Sequence, residues 1–68
     1  MTIENILELL TLLPMTRVKI NEYSNGYLSC VADTGRKGIK DIPLSITMRD
    51  VTSITVSDNT IVLEYNND

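Results

Sequence analysis

Histidine, tryptophan and phenylalanine are absent from this sequence of 68 residues, and it contains a single cysteine, Cys30. Histidine is the side chain that most often acts as a general base near neutral pH, and one thiol without histidine is a poor basis for a metal site. A disulfide within the chain would need a second cysteine. We therefore expect a protein that is not an enzyme and that has no metal and no cofactor.

The remaining candidates for catalytic chemistry have simpler structural explanations. Cys30 alternates with Leu28 and Ala32, and this period of two predicts an inert thiol that points into the core. Glu4 and Glu8 are one helical turn apart, a spacing typical of a solvated helix face. No serine has a recognisable base beside it, so nucleophilic catalysis is not expected.

Aromatic side chains are scarce, and the chain is acidic, with a net charge of −3 at neutral pH and a pI of about 4.6. A domain that binds the nucleic acid backbone is usually basic and often stacks bases on aromatic rings. Nucleic acid is therefore not expected as a partner. Tyr23 and Tyr27 could stack a base, but a cross-strand pair or part of a dimer interface explains them more simply.

The charges are distributed unevenly along the chain. All six basic residues lie between positions 17 and 49, where three acids leave a net charge of +3, and the two ends carry the other six acids. A field of this kind steers charged partners toward one part of the surface. The distribution favours a binding protein over an enzyme.

The length is sufficient for one small domain, which we assign to residues 1–68. A domain of this size buries only roughly 60% of its unfolded surface and commonly relies on a disulfide, a metal or oligomerisation. Since the first two are not expected, we predict a homo-oligomer. The first residues lack a basic signal-peptide region, and Glu8 and Pro14 interrupt the apolar run, so we expect a cytoplasmic protein without a membrane span.

Residues 2–13 are predicted to form a helix. Thr2 is a favourable N-cap, and Pro14 disfavours helical geometry at the residue before it. Leu9 and Leu12 lie off the main apolar stripe, and they either fill a deep groove of the protein's own sheet or form an interface with a second subunit or a partner. The stripe itself consists of Ile3, Ile6, Leu7, Leu10 and Leu13.

A first hairpin is predicted after Pro14, because apolar residues alternate on both sides of a turn-like stretch at residues 23–27. A two-residue Asn25-Gly26 loop would mix polar and apolar residues on both faces. A three-residue loop, Ser24–Gly26, pairs apolar with apolar residues and is the register that we predict. In this register Val18 faces Ala32, Ile20 faces Cys30, Tyr23 faces Tyr27 and Arg17 faces Asp33.

The segment Asp33–Asp41 has two glycines, three bases and no hydrophobic period, which predicts an exposed and mobile loop. Its cations Arg36, Lys37 and Lys40 are the candidate binding residues, because the glycines would let a phosphate or carboxylate approach the backbone closely. The spacing does not match a P-loop. A plain solvated connection remains the alternative.

The segment Ile42–Met48 alternates in the manner of a strand. Pro43 lacks a backbone N–H, which restricts this segment to a sheet edge or to an irregular extended conformation.

The closing hairpin has the clearest pattern. Val51–Ser57 and Thr60–Tyr65 both alternate, and they are separated by Asp58-Asn59, two residue types that tolerate positive φ and suit a tight turn. The predicted pairs are Val56 with Ile61, Ile54 with Leu63 and Thr52 with Tyr65 on one face, and Thr55 with Val62 and Ser53 with Glu64 on the other.

These elements predict the α+β class, with an N-terminal amphipathic helix packed on an antiparallel sheet of four or five strands built from two hairpins. The alternative is a small Sm-like or SH3-like barrel, in which a helix is also followed by strands.

The two ends of the chain contain patterns that also occur together elsewhere. The opening I-x-x-I-L-x-L-L lies at Ile3–Leu10, and the closing strands contain V-x-S-I at Val51–Ile54 and an I-V-x-E-Y-like stretch at Ile61–Tyr65. This layout resembles that of small uncharacterised proteins encoded by phages and prophages of Gram-positive bacteria. The resemblance implies a phage or mobile-element context, and it brings no catalytic residues.

We expect a small interaction protein, such as a phage accessory factor that binds and inhibits a host protein, for example one of a defence system, in the host cytoplasm. The alternative is an oligomeric protein that sequesters an anionic small molecule such as a signalling nucleotide, on which the basic loops of neighbouring subunits would converge. A structural or assembly component is a third possibility.

Overall fold

The computed structural model describes residues 1–12 and 17–67. Its fold is α+β, with an N-terminal helix packed on a four-stranded sheet, so the predicted fold class is confirmed. The predicted helix end at Leu13 lies outside the described residues. In chain order the elements are α1 (Ile3–Leu9), a 3₁₀-helix (Leu10–Leu12), β1 (Arg17–Ser24), β2 (Tyr27–Gly35), a second 3₁₀-helix (Arg36–Asp41), α2 (Leu44–Thr47), β3 (Val51–Ser57) and β4 (Thr60–Asn66).

The sheet has the strand order β2-β1-β4-β3, so each hairpin contributes one central strand and one edge strand. The pairs β1–β2 and β3–β4 are antiparallel, whereas the central strands β1 and β4 run parallel to each other. The sheet is therefore mixed rather than wholly antiparallel as predicted, because the connection between the two hairpins places β4 beside β1 in the same direction. The chain between the two edges carries the second 3₁₀-helix and α2 across the face that α1 also covers, because Ile39, Ile42 and Ile46 all pack against the core.

The helix α1 begins at a capping box. The Thr2 hydroxyl accepts a hydrogen bond from the backbone N–H of Asn5, and the Asn5 side chain accepts one from the backbone N–H of Thr2. These bonds satisfy two donors that the first helical turn leaves unpaired. The core below α1 is formed by Ile3, Ile6, Leu7, Leu10, Val18, Ile20, Ile61, Leu63 and Tyr65, all of them buried.

The closing hairpin has the predicted register over most of its length. Asp58 and Asn59 form a two-residue turn with φ of 50° and 63°, as expected for a primed turn. The predicted pairs are present except at the open end, where a bulge brings Val51 rather than Thr52 opposite Tyr65.

The register predicted for the first hairpin is wrong. The turn has two residues, Asn25 and Gly26, with φ of 53° and 81°. Beyond it, Val31 is an extra residue in β2, so that the pairing changes from Asn21 with Cys30 to Ile20 with Ala32. The bulge keeps an apolar residue, Ala32, opposite Ile20 and places Thr34 rather than the charged Asp33 opposite the buried Val18.

Two consequences of this register correct further predictions. Cys30 lies on the open face of β2 and is exposed, so it is not a core thiol. Tyr23 pairs with Leu28 and Tyr27 with Ser24, so the two tyrosines do not face each other. Arg17 pairs with Gly35 along the backbone, yet its guanidinium still reaches the Asp33 carboxylate at 2.7 Å.

The segment Ile42–Met48 does not form the predicted strand. Pro43 lies at the N-cap of α2, where its missing N–H removes no helical hydrogen bond, and its carbonyl accepts from Ile46 and Thr47. Leu44–Thr47 instead forms one turn of helix, in which Thr47 is buried and Ile46 packs against the core. A period of two over seven residues did not distinguish a strand from a short helix here.

Candidate binding site

The predicted basic loop is a 3₁₀-helix, Arg36–Asp41, held against the rest of the protein. Ile39 packs against the core, and Gly38 lies so close to Thr34 of β2 that a methyl group in its place would clash with the threonine side chain. These two contacts fix the helix on the β2 side of α1. The cations on its outer surface therefore have a defined position.

The three predicted binding residues divide into two roles. The Arg36 guanidinium donates a hydrogen bond to the backbone carbonyl of Leu10 at 2.7 Å. That carbonyl lies at the C-terminal end of α1, where helical carbonyls lack partners within the helix. Arg36 thus stabilises the helix end, whereas Lys37 and Lys40 are exposed, and neither forms an ion pair with a residue in the ranges 1–12 and 17–67.

An open cavity of about 500 Å³ lies between α1 and the basic 3₁₀-helix. Its floor is apolar, and its rim is cationic. The floor is made by Leu7 of α1, Leu10 of the first 3₁₀-helix and Ile39, and the rim by Arg36, Lys37 and Lys40. An apolar floor with a few charged groups above it is the usual composition of a ligand or peptide site.

The cavity continues along α1 toward the N-terminus of the helix. A second open space of about 330 Å³ shares Leu7, Ile39 and Lys40 with the first and is bordered on the helix side by Glu4 and Glu8. The two spaces together form one channel, which we call the α1 groove. Its rim changes from cationic beside Leu10 to acidic beside Glu4, so a bound segment would experience opposite charges at its two ends.

The other bases lie away from the α1 groove. Arg17 forms an ion pair with Asp33 on the open face of the sheet, and Lys19 lies next to it on β1, half-buried. The Arg49 guanidinium lies 5.8 Å from the centre of the Tyr65 ring and donates a hydrogen bond to the Ser45 carbonyl. The structure therefore does not gather the six bases of residues 17–49 into one surface.

The predicted interface residues lie on different surfaces. Leu9 and Leu12 are both exposed, on the side of the helix away from the buried stripe. Tyr23 lies beside Leu28 on the open face of the sheet, and Tyr27 is the first residue of β2, next to the first turn. The four residues do not form one continuous patch.

Leu7 and Ile39, which form part of the floor, were not predicted as site residues. The sequence pattern places Leu7 in the core stripe of the helix, and it places Ile39 in a segment without a hydrophobic period, which predicts a loop. The available signal was the isolated Ile39 between Gly38 and Lys40. A single large aliphatic residue in a basic, glycine-containing segment indicates an anchor to the core.

One buried polar contact connects the two central strands. The Tyr65 hydroxyl of β4 donates a hydrogen bond to the Glu22 carboxylate of β1 at 2.7 Å. Burial, with this hydrogen bond and the Glu22 charge as smaller causes, raises the pKa of Tyr65 to about 12. This contact joins β1 and β4, and neither residue lines the α1 groove.

Within the described ranges, no three His, Cys, Asp or Glu side chains are grouped so as to hold a metal ion. None of the helices in the same residues has the length and apolar character needed to cross a membrane. Comparison of the chain with protein-family models, with curated proteins and with solved structures finds no match.

Proposed function

We propose that this chain is a non-enzymatic interaction protein that binds an acidic, partly apolar segment of another protein in the α1 groove. The observation that carries this proposal is the exposure of Lys37 and Lys40 above an apolar floor, without a counter-ion among the described residues. Cations held at the edge of an apolar groove favour a ligand that supplies both a carboxylate and a hydrophobic side chain.

The two parts of the groove have different roles in this proposal. Leu7, Leu10 and Ile39 supply the affinity, because an apolar side chain of the partner would be removed from water there. Lys37 and Lys40 accelerate the encounter and set its orientation, since exposed charges act mainly on the association rate. Glu4 and Glu8 at the other end of the groove would disfavour an acidic residue there.

The phage-like layout of the sequence suggests the biological setting. In that setting the partner is a host protein, for example a component of a defence system, and occupation of its acidic segment inhibits it. The chain would then act as an accessory factor in the host cytoplasm.

The geometry supports a protein partner better than the alternative ligand, an anionic small molecule such as a signalling nucleotide. A phosphate would be held best by an arginine, because a guanidinium can bind two of its oxygens at once. The arginine of the groove, Arg36, already donates to Leu10. Two separated lysines suit an extended acidic segment better than a compact phosphate group.

The test compares a variant that lacks two positive charges of the groove with a variant that lacks two positive charges elsewhere. We expect Lys37→Ala with Lys40→Ala to leave the fold intact, because both side chains are exposed and contribute little to stability. The double variant should capture the partner from a host lysate more weakly. Binding measured with the captured partner should show slower association, and wild-type binding should decline as salt rises.

The matched control is Arg17→Ala with Lys19→Ala, which removes the same charge from the open face of the sheet. Arg36 is left in place, because its loss would also remove the hydrogen bond at the end of the helix. Equal capture by wild type and the groove variant would overturn the proposal. A nucleotide that remains bound through purification, and that the groove variant loses, would favour the small-molecule alternative.

A further inference from the structure

The two edges of the sheet differ in how far they are protected from pairing with another strand. The edge strand β2 contains the bulge at Val31 and the charged Asp33, and the basic 3₁₀-helix contacts it. Bulges, charges and covering elements are the usual means by which proteins block sheet edges. At the other edge, a bulge and a bridge between Thr2 and Asp50 lie only near the start of β3, and Ser53–Ser57 contains no charge, proline or glycine.

Exposed apolar side chains accompany the open edge. Ile54 and Val56 lie opposite the buried Leu63 and Ile61, on the face that α1 covers, yet they are 52% and 54% exposed. They are exposed because α1 lies over the central strands and does not extend over β3.

Leu9 is an exposed apolar residue on the flank of α1 opposite the groove. Glu4, Leu7 and Glu8 occupy the flank of α1 that borders the basic 3₁₀-helix. Leu9 is separated from Leu7 by about 200° around the helix axis, which places it on the opposite flank, toward β3. Leu9 is half exposed, so this flank of the helix presents an apolar side chain to solvent.

We propose that β3 pairs antiparallel with β3 of a second copy of this chain, which joins two four-stranded sheets into one of eight strands. Residues next to a two-residue hairpin turn form a hydrogen-bonded pair, so the backbone groups of Ser57 and Thr55 point toward β4. Those of Ile54 and Val56 therefore point outward. They are available to pair with a second strand.

Charge and side-chain pattern select one register for this pair. With Thr55 on the twofold axis, Ile54 of each copy lies opposite Val56 of the other, and Asp58 lies opposite Thr52. With Ile54 on the axis, Asp58 would instead lie opposite Asp50, and two carboxylates would repel each other. The first register pairs apolar with apolar residues and avoids this repulsion.

A second copy fits this edge better than an unrelated protein because the edge is complementary to itself. A twofold interface uses the same patch on both subunits, and a strand without charges does not repel its own copy. A domain of this size commonly relies on oligomerisation for stability. The proposed dimer provides this stability and leaves every residue of the α1 groove free.

The dimer also places the two α1 grooves far apart. The basic 3₁₀-helix contacts β1 and β2, at the end of each sheet distant from β3. With strands about 4.8 Å apart, five to seven strand spacings separate the two grooves by roughly 24 to 34 Å. The basic segments therefore do not converge on one small ligand, and the dimer would offer two separate protein-binding sites.

The first test measures mass in solution by analytical ultracentrifugation over a concentration series that reaches about 0.5 mM. Wild type should approach twice the chain mass of 7.6 kDa. Ile54→Lys should shift to the monomer, because the new charge would be buried at the interface. The matched control is Leu28→Lys, an equally exposed leucine of the other edge strand (53% against 52%), which should remain dimeric.

The second test locates the strand pair and its register by cross-linking. In a Cys30→Ser background, Thr55→Cys should form a disulfide-linked dimer on mild oxidation, because directly opposed residues of a non-hydrogen-bonded antiparallel pair have Cα atoms about 4.5 Å apart. Ser53→Cys should not cross-link in this way, since Ser57 of the second copy lies opposite it.

Three outcomes would overturn the proposal. The first is a wild-type monomer throughout the concentration series, which would leave the edge to a strand of a different protein. The second is an Ile54→Lys variant that is folded by circular dichroism and still dimeric. The third is a dimer in which Thr55→Cys cross-links no faster than Ser53→Cys, which would place the interface elsewhere.

Discussion

The two hairpins of this protein have the same plan, yet only one of them has the register that its sequence pattern predicts. Each closes with a two-residue turn in which both central residues have positive φ. Each also places one strand in the centre of the sheet and the other at an edge. The second hairpin is regular from its turn to Ser53, whereas the first contains a bulge at Val31.

The difference lies in whether turn chemistry and side-chain alternation agree. In the second hairpin, the Asp58-Asn59 turn and the alternation select the same pairs. In the first, an Asn25-Gly26 turn without a bulge would place Ile20 opposite Val31 and Val18 opposite Asp33. A longer loop resolves this conflict at the turn, and a bulge resolves it within the strand. The structure contains the bulge, which keeps the favourable Asn-Gly turn.

The largest expected effect tests whether the central strands hold the protein together. Leu63→Ala should cost about 2 to 5 kcal/mol of unfolding free energy, because Leu63 is fully buried under α1 and the change leaves a cavity. A loss of that size would unfold much of so small a domain. Denaturant titration followed by circular dichroism measures it.

Two neighbouring positions serve as controls. Ile54→Ala removes the side chain directly opposite Leu63, and Val62→Ala removes one from the open face. Both should cost clearly less, since Ile54 is half exposed and Val62 is only partly buried. Equal losses at Leu63 and Val62 would mean that both faces of the sheet are covered in solution.

An intermediate effect is expected from the two turns. Gly26→Ala should cost about 1 to 2 kcal/mol, because φ at this position is 81° and an L-residue is strained there. No atom lies within 4 Å of the added Cβ, so the loss would come from the backbone alone.

The opposite kind of change, the introduction of a glycine, can be made in the other turn with Asp58→Gly. It relieves a positive φ of 50° but makes the unfolded chain more flexible, and the two effects should nearly cancel, to within about 0.5 kcal/mol. Thermal unfolding of both variants against wild type measures the contrast. A destabilised Asp58→Gly together with an unaffected Gly26→Ala would contradict the described turn geometry.

A smaller loss than at Gly26 is expected from the contact between the hairpins. Tyr65→Phe removes the hydrogen bond to Glu22 and should cost about 1 kcal/mol at pH 7. Because the folded protein raises the pKa of Tyr65 from 10.0 to about 12, the stabilisation is complete below pH 10. It is lost as the pH rises from 10 to 12.

Unfolding free energies of wild type and Tyr65→Phe should therefore converge over that pH range. The two proteins differ only at this residue, so the difference between the two curves isolates Tyr65. Parallel curves between pH 10 and 12 would mean that the Tyr65 hydroxyl is exposed in solution.

The site was predicted less completely than the fold. The charged rim was identified because Arg36, Lys37 and Lys40 are close in sequence. The floor was not, because Leu7 and Ile39 are separated by more than thirty residues and become neighbours only when the basic 3₁₀-helix packs beside α1. The different role of Arg36 likewise depends on the position of the Leu10 carbonyl, which the sequence does not indicate.

The sequence by itself determined the Thr2 cap, the apolar stripe of α1, the closing hairpin and the α+β class, because each depends on local geometry or on a regular period. The tertiary structure decided the parallel pairing of β1 with β4, the bulge at Val31, the helical turn after Pro43 and the exposure of Cys30. In these places several local conformations have similar energies, and burial against residues distant in sequence selects among them.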